Sequence, residues 1–243
     1  MLTKFFSVGL KFEDNIHSYI LMKPDMAPVE EGISICTWNN KLKSGNSPYL
    51  LKYNAPGAIG EIEMFDASQG FTMLQQYTSS GIKAPLGWHH QCLTWSFATE
   101  TTKFYYNGSL HKSATTRSLP DRKLAMGGSI AIGQNHLKTN LEADFNGQAY
   151  SFGGAIRDLN IFTVQLRDRE VSEMYRSGMC SDSVGFLPDI IFLKWNYLLD
   201  DLEFESNPKL KSNKVNMFYM NKCPSLPSQG REKMQNTIPC SIE

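Results

Sequence analysis

The chain has 243 residues, 41% of them hydrophobic and 20% charged, enough apolar material for one large core followed by a tail. Lysine plus arginine equals aspartate plus glutamate at 24 each, a formal net charge of zero, which argues against a nucleic-acid binder with its usual basic excess. No apolar run reaches the ~18 residues of a membrane-crossing helix.

The first residues, Met1-Leu2-Thr3-Lys4-Phe5-Phe6, are followed by Ser7, Gly9, Lys11 and Glu13, which leave too short an apolar stretch for the core of an export signal. An exported form is expected to have lost or replaced its leader in this numbering.

Short apolar segments divided by Gly, Pro, Asn and Ser predict strands at 5–12, 17–22, 32–38, 49–53, 61–65, 71–77, 88–97, 103–106, 129–134 and 154–164. This spacing predicts an all-β, antiparallel sandwich or barrel rather than alternating strand–helix units. Phe104-Tyr105-Tyr106-Asn107-Gly108-Ser109-Leu110 is the clearest hairpin, because Asn-Gly suits a type I′ turn with two positive-φ residues. The same Asn107-Gly108-Ser109 is the chain's one Asn-x-Ser/Thr sequon, on a turn expected to be exposed, so Asn107 is a candidate glycosylation site. The alternative is that the pair only makes the turn.

One helix is predicted at 168–176, where Val171, Met174 and Tyr175 share a face, acidic residues come early and Gly178 follows as a stop. After Lys211 the composition turns polar and Pro-rich. The boundaries expected are therefore a β-sandwich domain over 1–211 and a cysteine-bearing tail or linker over 212–243.

The segment Trp88-His89-His90-Gln91-Cys92-Leu93-Thr94-Trp95 contains His-x-Cys-x-Thr-Trp and resembles the pentraxin signature. Features in matching order extend the resemblance over about 5–211: Gly32 to Cys36, the aromatic hairpin, Gly127 to Gln134, Gly154 to Phe162 with the helix after it, and Leu193-Lys194-Trp195 as a tryptophan strand. Phe97 stands where the signature continues with a small hydroxyl residue.

The resemblance implies a two-sheet, concanavalin-like jelly roll with one short helix, a homo-oligomer, and a disulfide between Cys36 and Cys92. Five cysteines, at 36, 92, 180, 223 and 240, suit an oxidising compartment, and none forms a CxxC pair. Cys180 with Cys223 would pin the tail to the domain and leave Cys240 for an external partner; Cys223 with Cys240 is the alternative.

Pentraxins hold calcium, and the resemblance locates three groups of ligands. Where an Asp-Asn pair is implied, the chain reads Ile59-Gly60. Where an acidic loop is implied after Gly133-Gln134, it reads Asn135-His136-Leu137-Lys138. A Phe-Glu…Gln stretch is matched by Phe145-Asn146-Gly147-Gln148, with Glu142, Asp144 or Asp66 as the acids that could rebuild the site. Calcium needs six to eight oxygens, several of them carboxylate, so no cofactor is expected.

Glu61 and Glu63 share a strand face but do not fit the acidic spacing of jelly-roll glycosidases, and a solvated face is expected for them. His89 and His90 point to opposite faces, which disfavours a shared metal. No nucleophile motif organises the Ser, His and Asp residues.

The sequence thus predicts a non-catalytic, extracellular recognition or adhesion domain that binds a protein or glycan, as an N-terminal module of a larger cell-surface protein such as an adhesion receptor. A secreted, oligomeric lectin for glycan or phospho-ligands is the alternative, and a glycosidase a distant third.

Overall fold

A computed structural model describes residues 7–13, 17–23, 29, 31–41, 49–54, 61–65, 70–73, 76–82, 87–115, 128–135, 151–178, 191–204 and 209–220. The strands form two antiparallel sheets. The first runs in the order β10 (Ser109–Thr115), β9 (Thr101–Tyr106), β8 (His89–Ser96), β3 (Gly32–Lys41), β12 (Gly154–Phe162), β1 (Ser7–Phe12) and β15 (Val215–Met220). A short β13 (Ile191–Leu193) pairs with the far end of β12. The second sheet runs β14 (Leu210–Asn213), β2 (Tyr19–Met22), β11 (Ser129–Ile132), β4 (Tyr49–Asn54), β5 (Glu61–Phe65), β6 (Gly70–Met73) and β7 (Gln76–Ser79).

Alternation builds the core. Ile33, Ile35, Leu93, Trp95, Phe104, Ile156 and Ile161 of the first sheet face Ile20, Leu51, Tyr53, Ile62, Met64, Phe71, Ile130 and Ile132 of the second in one buried cluster. Phe97 falls just beyond β8 and is buried edge-on against Trp95, with ring centroids 4.4 Å apart, so it fills space where a small residue would not. Gly133 has φ +86°, and a Cβ there would lie 2.5 Å from the Phe12 ring, so both conformation and space require glycine.

The two sheets are tied at a corner. Ser18 Oγ accepts from the Glu13 N–H at 2.9 Å and donates to the Lys214 carbonyl at 2.7 Å. Lys214, with φ 48°, is the hinge between β14 in one sheet and β15 in the other.

The helix α1 (Asp168–Ser177) lies where the sequence predicts, burying Val171, Met174 and Tyr175. Glu170 reaches back to accept the Arg167 backbone N–H at 2.7 Å, satisfying a group the helix start leaves open.

Three expectations need correction. Residues 212–220 are not the start of a tail: β14 pairs with β2, and β15 pairs with β1. Both are edge strands, so their Lys, Ser and Asn side chains stay exposed without breaking a core, and composition alone reads as a linker. Trp195 is not in a strand. It opens a second helix, α2 (Trp195–Phe204), in which Trp195 and Leu198 are buried at helical spacing. Its N–H donates to Asn160 Oδ1 at 3.1 Å and its indole Nε1 to the Val8 carbonyl at 3.3 Å. The predicted strand 71–77 is two strands, β6 buried and β7 largely exposed, with Met73 opposite Gln76.

Candidate functional site

The signature segment lies in β8, where alternation sends His90, Cys92 and Thr94 to the outer face and Leu93 and Trp95 into the core. Cys36 and Cys92 stand opposite each other on β3 and β8, Cα atoms 4.1 Å apart, and are joined by a disulfide spanning 56 positions. Tyr105, Phe162, Leu166, Val171 and Met174 close over it. Cys180, Cys223 and Cys240 lie outside the described residues.

His90 is buried beside Trp38 and Tyr175, with ring centroids 5.3 and 6.2 Å away. Burial, and then the neighbouring His89, lower its pKa to about 3, so the ring is neutral at ordinary pH. Its Nδ1 has no hydrogen-bond partner. His89 packs on the other side of the strand, 5.6 Å from the Tyr106 ring. The pair therefore does not converge, and no group of three or more metal-ligating side chains occurs among the described residues.

The Asn107-Gly108 turn is less exposed than the sequence suggests. The Asn107 N–H donates to the His90 carbonyl at 2.8 Å, and its Oδ1 accepts from the His90 N–H at 3.0 Å. Gly108 is buried against α1; a Cβ there would lie 2.6 Å from Tyr175 Cβ. The positive φ values, 48° and 75°, are those the hairpin requires.

The outer face of the second sheet carries a different constellation. Pairing aligns Leu21, Ala131, Lys52, Glu63 and Thr72 in one row across β2, β11, β4, β5 and β6. All five are buried. Lys52 Nζ lies 3.2 Å from Glu63 Oε1 and donates to Asn135 Oδ1 at 3.0 Å. Glu63 is thus paired in the interior, not on the solvated face expected of it; Asn135 begins the loop where the resemblance implies calcium carboxylates.

Ile59, Gly60, Asp66 and residues 136–150 lie outside the described residues. Lys52, Glu63 and Asn135 do not fit a calcium ion: they supply an ammonium, a carboxylate already paired to it, and a neutral carboxamide. Sequence reading missed Lys52. Its one signal is a lysine inside the apolar run Tyr49-Leu50-Leu51-Lys52-Tyr53.

Two antiparallel sheets over a common core, with α1 packed outside one of them, define a lectin-like jelly-roll sandwich. The sequence profile described as the concanavalin A-like lectin/glucanases superfamily matches residues 21–172. The chain belongs to that superfamily.

Among solved structures it is similar to a native heptameric SAP-like pentraxin from Limulus polyphemus, with 17% identity, a TM-score of 0.62, and coverage of 87% of this chain and 94% of that one. It is also similar to a protein from Bacteroides ovatus described as carbohydrate-binding, with 13% identity and a TM-score of 0.60, covering 91% of this chain and 62% of that one. The pentraxin-like jelly roll read from the signature is thus the observed fold. A comparison with curated protein sequences finds no match.

Proposed function

We propose that the chain is an extracellular, non-catalytic recognition or adhesion domain that works by surface contact, as the N-terminal module of a larger cell-surface protein such as an adhesion receptor. The observation that carries this reading is where the chemistry-capable groups sit. His90 is neutral and enclosed, and Glu63 is paired to Lys52, so neither faces a substrate. Among the described residues the exposed large hydrophobic side chains are Tyr77, Leu110, Tyr197, Met217 and Tyr219, side chains suited to contact with a partner. The Cys36–Cys92 disulfide supports an oxidising location.

The test is binding of the tagged domain to intact cells, with and without trypsin treatment of the cells. The expected result is binding that trypsin abolishes and chelator leaves unchanged. Calcium-dependent binding to a glycan array or to phosphocholine vesicles would replace this reading with the secreted, lectin-like one. Self-association belongs to the proposal as well, supported by the heptameric assembly of the similar Limulus pentraxin.

A further inference from the structure

We propose that Lys52 is a built-in counter-cation that does, within the chain, the charge-neutralising work a divalent ion would do on this face. The geometry is specific. Lys52 is 5% exposed and Glu63 is 8% exposed, so both charges have left water. A buried carboxylate persists only when paired, and the ammonium 3.2 Å away supplies the pairing. The second contact, to Asn135 Oδ1 at 3.0 Å, ties the ammonium to the segment just after β11.

Cross-strand register places Lys52 between Ala131 and Glu63, so it reaches both the carboxylate strand and the β11 end without crossing another strand. A divalent ion brought to Glu63 or Asn135 would meet this fixed positive charge at close range in a partly desolvated setting, where repulsion is weakly screened. Lys52, and not a metal ion, is then the counter-charge to Glu63 on this face.

Calorimetric melting of the wild type, Lys52→Met, Glu63→Gln and the double variant Lys52→Met/Glu63→Met tests it, each in millimolar calcium and in chelator. The wild-type Tm is expected to be the same in both solutions. Lys52→Met leaves Glu63 buried and unpaired, and should lower Tm by roughly 10 °C. The double variant removes both charges and should recover at least half of that loss. If Lys52→Met does not fold, recovery of a cooperative transition in the double variant supports the same conclusion. A wild-type Tm that rises with calcium, a Lys52→Met Tm equal to wild type, or a double variant no better than Lys52→Met would each overturn the proposal.

Discussion

Tyr105, in β9, donates its hydroxyl to Asp168 Oδ1 at 2.7 Å, tying the sheet beneath the disulfide to the first residue of α1. Lys103 reaches the same oxygen at 2.8 Å. One carboxylate thus anchors the helix to its strand.

Lys103, and then Tyr105, hold the Asp168 carboxyl below its ordinary value, so folding favours the ionised form. The resulting stability is fully present above the unfolded value of about 4 and is lost as pH falls through the lowered folded value. Asp168→Asn should lower Tm at pH 6 and converge with wild type in strong acid. Tyr105→Phe should cost about 1 kcal/mol in chemical denaturation. A Tm difference for Asp168→Asn that is equal at both pH values would refute the assignment.

His90 gives a second and separate acid response. Its folded pKa of about 3 lies below the unfolded value near 6.5. Protons bind the unfolded chain first, so the stability is intact above about 6.5 and is eroded steadily as pH falls towards 3. Replacing His90 with Phe should flatten the Tm profile between pH 6.5 and 4, within which Asp168 contributes little change. An unaltered slope in that window would show that another group drives it.

Gly108→Ala adds a Cβ against Tyr175 at a residue with φ 75°. The expected cost is about 1–3 kcal/mol, read from urea midpoints. Asn107→Gln breaks the 3.0 Å bond to the His90 N–H and should lower Tm whether or not the residue carries a glycan. Intact mass before and after enzymatic deglycosylation decides that separately. A Gln variant as stable as wild type would mean the turn does not depend on this side chain.

Opening the Cys36–Cys92 bridge frees a loop of 56 positions, worth about 4 kcal/mol in the chain-entropy account. Reduction should therefore lower Tm strongly, but only after unfolding, because both cysteines are fully buried. Non-reducing peptide mapping should recover this pair, and it decides between Cys180 with Cys223, the pairing the sequence favours, and Cys223 with Cys240. Alkylation of Cys36 in the native protein would contradict the arrangement.

Static light scattering at high micromolar concentration should report a dimer or a larger assembly. A monomer at that concentration removes self-association from the proposed function.

Most of the architecture was legible because short apolar segments between turn residues mark the strands, and because His90, Cys92, Thr94 and Trp95 carry the resemblance that implies the two-sheet jelly roll. The helix was legible from Val171, Met174 and Tyr175 for the same reason at a different period. What stayed hidden depended on partners distant in the chain. The exposed side chains of β14 and β15 look like linker until their backbone partners in β2 and β1 are known. The resemblance implies a strand at Trp195, and only Asn160, brought to its N–H, shows where α2 begins. Glu63 reads as surface because Glu usually is, and its burial follows from Lys52 one strand away.

The pairing of β1 with β15 also decides how this domain meets mechanical tension. Ser7 stands opposite Met220, and the register then runs inward to Phe12 and Val215. A pull applied through both residues acts at the same end of an antiparallel pair, so its backbone bonds are stressed in succession, as in a zipper, instead of sharing the force in shear. Modest tension applied at these two residues should peel β15 from β1 first, while the bridged centre at Cys36 and Cys92 stays intact.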